Sequence, residues 1–571
     1  MKILLINPPV RDFYNTPARR YPLGLLYLAA AVRARGHHVD LLDGGASTRS
    51  RACDPPASTK KSLQAGLGFD CSPFRLFGRF SHFGPSFEEI QERVASLKPR
   101  VIGIASLFSP YAAEAEETAR AAKRAAPQAT VVLGGGHPSA FPAMALTESA
   151  IDYVVIGEGE RSFAALCDAL DRGNEVADVP GLAYRSQGRI HVNPPVFEND
   201  LDSLPLPARD LIDPQAYRVG RRRFTQILSS RGCPMACRFC SSHLTAGTAF
   251  RPRRPEKVVA EMQECISGDD VPVFDFEDDN LTIDRERALH LAGLIRETFG
   301  ARRLRLDALN GLALKGLDRQ VIEALAEAGF RRLHLAPLTT EPKTVAAMNR
   351  RDSLADFSRC VEDAIRSGLN VTAYLMVGYP GQTVREIMTA LDTLSREPVR
   401  VCPSIFYPAA GSAVQRELMP ELDVADSLAW GAMRSSCFPE IPGGFSLKTL
   451  RTLFWMARMA DFAKSLGPAG DPAHLRSLCS TTAAATAINA PHPRNQPWIV
   501  QRPKPLPPRE LGLEALGAYL RTQVPHGVRL LSRGSRNRGT KYSVYPLPGL
   551  IEERSFYRRW GIPGFDVKFE G

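Results

Sequence analysis

The alternation of apolar and polar positions predicts a doubly wound α/β domain in the first 200 residues. KILLIN is typical of a buried strand, PLGLLYLAAAVRARG of an amphipathic helix that stops at a glycine, and HVDLLD of a second strand. RVIGIASL, TVVLGGG and YVVIGEGE continue the series, with Ala- and Glu-rich helical segments between them. Buried strands that alternate with helices indicate a parallel sheet. We therefore expect about five parallel strands over 1–200, interrupted by an irregular insertion at 44–85.

A second alternation begins after the Pro-rich linker at 201–221. Its apolar runs are TQILSSRGC, VFDFEDDN, LRLDALNG, RRLHLAPL, NVTAYLMVG and VRVCPSIFYP, and helical segments separate them. Six such units over 222–425 predict a partial TIM barrel rather than a complete eight-unit one. In both kinds of sheet, ligands bind at the carboxyl ends of the strands, so we expect the functional residues there.

The rest of the chain, 426–571, gives a weaker pattern that is first helical, then Pro-rich, then basic and aromatic. We expect a mostly helical C-terminal region. From residue 501 onward there are thirteen Lys or Arg against six Asp or Glu, a surplus of seven out of a net charge of +11. That surplus fits a nucleic acid, an anionic lipid, an anionic substrate or a merely solvated surface, and no RNA-binding motif favours the first.

Bulk features place the chain among globular proteins of a reducing compartment. Hydrophobic residues make up 44% and charged residues 23%, and we find neither a signal peptide nor a transmembrane run. Eleven cysteines, an odd number with one tight cluster, do not resemble a disulfide framework. We expect a cytoplasmic protein.

The one tight cysteine cluster is the CxxxCxxC motif in SSRGCPMACRFCSS, directly after a predicted strand. Its members are Cys233, Cys237 and Cys240. A structural zinc site needs a fourth ligand, for which His243 is a candidate, and inert buried thiols are another alternative. Three thiolates on a four-iron cluster would leave one iron open to bind a substrate or cofactor.

CPMACRFC, with Phe239 before the last cysteine, resembles the signature of the radical S-adenosylmethionine (SAM) superfamily. The resemblance extends over most of 222–410. It implies that the three cysteines hold a [4Fe-4S] cluster whose open iron binds SAM, and that cleavage of SAM yields a 5′-deoxyadenosyl radical.

The same resemblance implies the SAM contacts. FDFEDDN, LDALNG and VGYPGQT match the family's segments at successive strand ends, and the implied residues are Phe239, Glu277, Asp278, Asp279, Asn310 and Gly378. Two positions depart from the family pattern: Gln382 stands where Glu is common, and Leu338 with Thr339 where many relatives have Glu-Ser. Acidic runs after strands are also common as helix N-caps, so the residues alone leave that alternative open.

INPP, the Arg-Tyr-Pro-Leu-Gly run at 20–24, GGGHPSAFP and GEGE resemble the Rossmann-like cobalamin-binding domain that precedes many radical SAM domains. The implied contacts with the corrinoid are Asn7, Pro8, Gly134, Gly135, Gly136, His137, Gly157, Glu158 and Gly159. The DxHxxG motif of His-ligated cobalamin proteins is absent, so the resemblance implies a corrinoid without a histidine ligand. A domain that has lost the cofactor is the alternative.

Together the two resemblances imply a cobalamin-dependent radical SAM methyltransferase that methylates an unactivated carbon, or phosphorus in a minority of members. The alternative is non-methylating radical chemistry, such as cyclisation, rearrangement or epimerisation, with or without cobalamin. The implied partners are a small-molecule or natural-product substrate and an external electron donor of the flavodoxin or ferredoxin type. In comparable enzymes the region corresponding to 426–571 caps the barrel and sets substrate specificity.

Overall fold

The fold was analysed in a computed structural model of the chain. It describes residues 1–457 with internal gaps, and the backbone of 529–535 and 540–546. The gaps lie at 14, 17–19, 47–49, 56–79, 301–303, 421–426, 448, 451–452 and 455–456.

The first sheet spans residues 2 to 192 and is mainly parallel. Seven strands follow the order β10-β9-β8-β7-β6-β1-β3. Five of them (β3, β1, β6, β7 and β8) run parallel, which confirms the predicted α/β class. The strands up to residue 192 are β1 (Lys2–Asn7), β2 (Val10–Asp12), β3 (His38–Asp43), β4 (Ser50–Ala52), β5 (Ser81–Phe83), β6 (Val101–Ala105), β7 (Thr130–Gly134), β8 (Tyr153–Val155), β9 (Leu182–Ser186) and β10 (Arg189–Val192).

Helices cover both faces of this sheet. They are α1 (Leu23–Arg33), α2 (Phe87–Leu97), α3 (Ala112–Ala125), α4 (Gly136–Ala140), α5 (Pro142–Ala145) and α6 (Gly159–Arg172). Ser86 and Glu89 form a capping box that starts α2, and Gly173 ends α6 in a left-handed conformation. Separate apolar clusters fill the two faces, one beneath α2 and α3 and one beneath α1 and α6.

The insertion at 44–85 departs from its prediction as irregular. It contributes β4 and β5, and β5 pairs antiparallel with both β4 and β2 in a small three-stranded sheet. The antiparallel pair β9 and β10 at the edge of the main sheet was not predicted either. β4, β5 and β10 are short or exposed, and β9 (LAYRS) turns polar after its first three residues, so none of them has the continuous apolar run of a buried strand.

A six-stranded partial barrel follows between residues 222 and 405. Its parallel strands are β12, β15 and β16, then β17, β18 and β19. Parallel bridges from Leu306 to Phe330 and from Leu312 to Leu335 join the two groups, so the six predicted units are confirmed. The strands of this part are β11 (Arg218–Val219), β12 (Arg222–Ile227), β13 (Ser230–Arg231), β14 (Arg251–Pro252), β15 (Val273–Phe276), β16 (Arg305–Asp307), β17 (Arg332–Leu338), β18 (Asn370–Val377) and β19 (Val399–Ile405).

The barrel's helices pack outside its strands around the largest apolar cluster of the described residues. They are α7 (His243–Ala246), α8 (Pro255–Glu264), α9 (Arg285–Phe299), α10 (Arg319–Ala328), α11 (Pro342–Ala347), α12 (Leu354–Arg366), α13 (Val384–Arg396) and α14 (Ala413–Leu418). Side chains of Asp284, Asp318, Ser353 and Thr383 cap four of them.

Little of 426–571 is described. It includes α15 (Ser427–Trp430) and an antiparallel hairpin of β20 (Arg529–Ser535) and β21 (Thr540–Pro546). Most of the region predicted to be helical, and most of its basic tail, lies outside the described residues. Across the described residues, no helix combines the length and apolar character needed to cross a membrane.

Candidate active site

The three cysteines lie on a loop that leaves the barrel at the end of β13. Gly232 opens the loop with φ +83°, and a Cβ there would approach the carbonyl oxygen of Ala249 to 2.1 Å. Only glycine fits this conformation and this space. Its amide donates to Asp279 Oδ2 at 3.0 Å, which fixes the start of the loop against the end of β15.

Neighbouring barrel loops hold the remainder of the cysteine loop. The amide of Arg238 donates to the carbonyl of Met348 at 3.1 Å, and Asn349 Nδ2 donates to the carbonyl of Ala236 at 2.8 Å. Phe239 packs beside an apolar cluster that includes Met376 and Phe406. The loop has no regular secondary structure, yet it is supported along its length.

The three thiols are half-buried and close enough to influence one another. Burial raises the pKa of Cys233 and Cys237, and the guanidinium of Arg350 partly opposes this at Cys237. The raised pKa keeps Cys233 and Cys237 protonated until a metal displaces the proton. No three His, Cys, Asp or Glu side chains in the described ranges converge as one metal ion would require. A cubane makes no such demand, because each thiolate binds a different iron, so these residues fit it.

The acidic run after β15 divides into two roles. Asp278 is buried and accepts from the amide of Ser229 at 3.1 Å, from its hydroxyl at 2.6 Å and from the hydroxyl of Ser230. It therefore ties β15 to the segment before the cysteines. Glu277 binds the side-chain amides of Gln226 and Asn310, the latter at 3.1 Å, and its pKa is raised by burial.

Gly378 lies at the end of β18 with φ +94°, next to Leu450 of the C-terminal segment. Gln382 organises this turn: its side-chain oxygen accepts from the amides of Gly378 and Tyr379, both at 2.9 Å. Its Nε2 donates to the carbonyl of Met376 at 3.3 Å. A glutamate could not make that last bond while ionised, which gives the departure at Gln382 a physical reason.

The second departure from the family pattern, Leu338 with Thr339, lies at the irregular end of β17. The register with β18 shifts between Leu335 and Leu338, and Leu338 has φ +59°. Thr339 donates from its hydroxyl to Glu386 at 2.9 Å. Leu338 is partly buried beside the same apolar cluster as Phe239.

The carboxyl ends of the first sheet form a glycine-lined wall. A Cβ at Gly135, where φ is +120°, would come within 2.7 Å of the carbonyl oxygen of Ser106, and one at Gly136 within 2.5 Å of that of Leu107. Asn7 is held by the carbonyl of Arg20 at 3.0 Å and by Asp43 at 2.9 Å. At Gly135 and Gly136 the neighbouring backbone thus leaves no room for a side chain.

A cavity of about 710 Å³ opens between this wall and the barrel. Of the residues predicted to contact cofactors, those that line it are Asn7, Pro8, Gly134, Gly135, Gly157, Glu158, Gly159, Glu277, Asp279 and Asn310. Those that do not line it are Gly136, His137, Asp278, Phe239, Gly378 and the three cysteines. The cavity thus brings together most of the predicted corrinoid contacts and three of the six predicted SAM contacts.

His137 is buried away from the cavity. Its ring packs edge-on against Phe141 and Trp430, with centroids at 5.8 and 6.3 Å. Burial lowers its pKa to about 4, so it is neutral at physiological pH. Neither ring nitrogen has a hydrogen-bond partner among the described residues.

Several other residues that line the cavity could not be predicted from the sequence. Leu107 and Phe108 follow β6 and are 58% and 44% exposed, and Gln226 and Arg231 come from the barrel. A strand pattern marks where such residues lie but not which of them face a ligand. The pairing of Arg231 with glutamates of the first domain had no sequence signal at all.

Comparison with known proteins gives two family matches. The B12 binding domain model matches residues 15–167, and the Radical SAM superfamily model matches 227–394. An uncharacterized methyltransferase of Pyrococcus horikoshii is 27% identical over 68% of this chain and 76% of its own length. Cytidylyl-2-hydroxyethylphosphonate methyltransferase of Streptomyces wedmorensis is 25% identical over 75% of this chain and 84% of its own.

Among solved structures, the radical S-adenosylmethionine methyltransferase TsrM of Kitasatospora setae, with cobalamin and a [4Fe-4S] cluster bound, aligns with a TM-score of 0.58. The alignment covers 74% of this chain and 78% of that one, at 19% identity. At this identity the similarity concerns the fold: the order of the two domains is the same.

Proposed function

The chain belongs to the radical SAM enzymes that carry a B12-binding domain, and from this premise we propose that it is a cobalamin-dependent radical SAM methyltransferase. Its substrate is a small molecule methylated at an unactivated carbon, with phosphorus as the less favoured acceptor. The observation that carries the proposal is one cavity lined both by residues of the predicted corrinoid site and by Glu277, Asp279 and Asn310 of the predicted SAM site. A methyl donor and a radical source must share one space if the methyl group is to reach the radical carbon.

When bound, the cluster and SAM supply a 5′-deoxyadenosyl radical, and the corrinoid supplies the methyl group. In the proposal Cys233, Cys237 and Cys240 hold the cluster. Glu277, Asp279 and Asn310 offer polar atoms to the ammonium or ribose of SAM from the cavity wall. Phe239, which packs beside the apolar cluster of Met376 and Phe406, and Gly378, at the end of β18, complete the proposed SAM contacts.

On the opposite wall, the glycines after β7 and β8 let a large planar ligand approach the backbone. Leu107 and Phe108 add exposed apolar surface beside them. These residues exclude water from one face of the ligand. His137 is turned away, in keeping with a corrinoid that has no histidine ligand.

The proposal also includes an external electron donor of the flavodoxin or ferredoxin type, and a cytoplasmic location. The support for the location is the cysteine content, which suits a reducing compartment. Domain boundaries at 200, 221 and 425, and a specificity role for 426–571, belong to the same proposal.

The test is anaerobic reconstitution followed by analysis of iron, sulfide and corrinoid in one sample. We expect about four irons and one cobalamin per chain. Cys237→Ala should lose the cluster and all cleavage of SAM, whereas Cys265→Ala, a cysteine at the end of α8, should keep both. Four irons without corrinoid, even after cobalamin is supplied, would instead favour the non-methylating alternative.

A further inference from the structure

Two buried arginines of the barrel face the first domain. Arg231 and Arg251 are register partners in the short antiparallel pair β13 and β14. They are 8% and 6% exposed. Adjacent buried cations require anionic partners close by, because desolvation without pairing is costly.

The partners are two glutamates at the start of α6. Arg251 holds Glu158 with both terminal nitrogens, at 3.0 and 2.7 Å. Arg231 reaches Glu158 at 3.3 Å and Glu160 at 2.6 Å. We call these four residues the arginine–glutamate clamp. Two cations meet two carboxylates, and the forked contacts restrict orientation as well as distance.

Aromatic rings and backbone carbonyls complete the clamp. The guanidinium of Arg231 lies 5.2 Å from the ring centre of Tyr27, and that of Arg251 lies 5.5 Å from Phe197. Arg251 also donates to the carbonyl of Glu198. Burial would raise the pKa of Glu160, but the charge of Arg231 outweighs it and the net shift is downward. Glu160 is therefore ionised opposite Arg231 at neutral pH.

Each end of the clamp adjoins one proposed cofactor site. Arg231 lies two residues before Cys233, and the intervening Gly232 is bonded to Asp279 in the cavity wall. Glu158 lies between Gly157 and Gly159 of the opposite wall. Both oxygens of Glu158 are engaged by Arg251, so this residue faces the barrel. The clamp is thus a short, rigid connection between the loop of the cluster and the wall of the corrinoid.

We propose that Arg231, acting with Glu158 and Glu160, is a positioning residue that fixes the distance and orientation between the cluster and the corrinoid. The inference rests on the proposed function. Methyl transfer to a radical carbon depends on this geometry, because a displacement of about 1 Å can cost on the order of 100-fold in rate. Arg231→Lys keeps the positive charge but loses the second terminal nitrogen with which the guanidinium reaches both glutamates. Glu160→Gln keeps the shape of the side chain but loses its negative charge.

The experiment is pulsed electron paramagnetic resonance on holoenzyme reconstituted with iron, sulfide and hydroxocobalamin and then reduced. The reduced cluster speeds the relaxation of the cob(II)alamin spin, and this effect falls steeply with the distance between them. In Arg231→Lys and Glu160→Gln we expect the relaxation to be slower than in the wild type and spread over a wider range of rates, with both cofactors retained. No substrate is needed.

Arg287→Lys is the matched control. Arg287 is as buried as Arg231, but its hydrogen bonds go to the carbonyls of Ser229 and Arg253 within the barrel domain. We expect wild-type relaxation in this variant. Unchanged relaxation in both clamp variants would overturn the inference, and loss of either cofactor from both would replace positioning by a role in binding. A wild type that takes up iron but no cobalamin would overturn the proposed function as well, which separates the two failures.

Discussion

Asp275 lies on β15 with its carboxyl group fully buried. One oxygen accepts from the amide of Leu309 at 3.0 Å, and the other has no partner among the described residues. Burial, and after it the charge of Glu277, raises its pKa from 3.8 to about 8. The folded chain therefore binds this proton more tightly than the unfolded chain does, and the stability it contributes is lost as the pH rises from about 4 to about 8.

Asp275→Asn should remove that pH dependence, because the amide keeps the bond to Leu309 and carries no charge. The melting temperature of the variant relative to the wild type should rise between pH 5 and pH 8, as measured by circular dichroism under anaerobic conditions. Asp178→Asn, at an exposed position, serves as the control and should follow the wild type. Parallel curves for Asp275→Asn and the wild type would refute the protonation of Asp275.

Among the connecting elements, the cysteine loop depends on its first glycine. Gly232→Ala meets both a positive φ and a carbonyl oxygen 2.1 Å away, so the loop must shift. We expect a variant that folds but binds at most a small fraction of the wild-type iron, as measured by iron and sulfide analysis after reconstitution.

The control variant Gly220→Ala separates the effect of the positive φ from the effect of the close carbonyl oxygen. Gly220 has a similar φ of +63° in the turn before β12 but has open space around it. The Gly220→Ala variant should lose about 1 kcal/mol of stability and should bind as much iron as the wild type. Equal iron content in the two variants would show that the contact at Ala249 does not govern the loop.

The same elements indicate how far the sequence determines the fold. Each buried parallel strand was predicted, because a buried strand needs a continuous apolar run. β4, β5, β9 and β10 were missed, since none of them has such a run. For the site, the cysteine motif was readable from its spacing, and the glycine wall from its position after strands. The arginine–glutamate clamp could not be predicted, because contacts such as that of Arg231 with Glu160 join residues 71 positions apart in the sequence.

Across the whole molecule, Arg434 connects the C-terminal segment to the first domain. It lies 3.4 Å from the fully buried Asp12 and donates to the carbonyl of Arg11 at 2.8 Å. The ring centre of Tyr111 is 5.0 Å away. Because removal of one partner leaves the other charge buried, Arg434→Leu should lower the free energy of unfolding by about 3–5 kcal/mol.

Chemical denaturation of the variant against the wild type measures this loss. Arg33→Leu breaks a comparable contact with Asp210, at 2.8 Å, but that pair is exposed. It should cost less than about 1 kcal/mol. A similar small loss for Arg434→Leu would mean that the C-terminal segment does not depend on this ion pair for its docking.

The shared cavity also has a thermodynamic consequence. Because its walls come from two domains, a ligand that rests on one wall changes the free energy of holding the other wall in place. Linkage then makes the effect reciprocal: the factor by which corrinoid tightens the binding of SAM equals the factor by which SAM tightens the binding of corrinoid. The amount of one cofactor that the enzyme retains during purification would thus reflect how much of the other is bound to it.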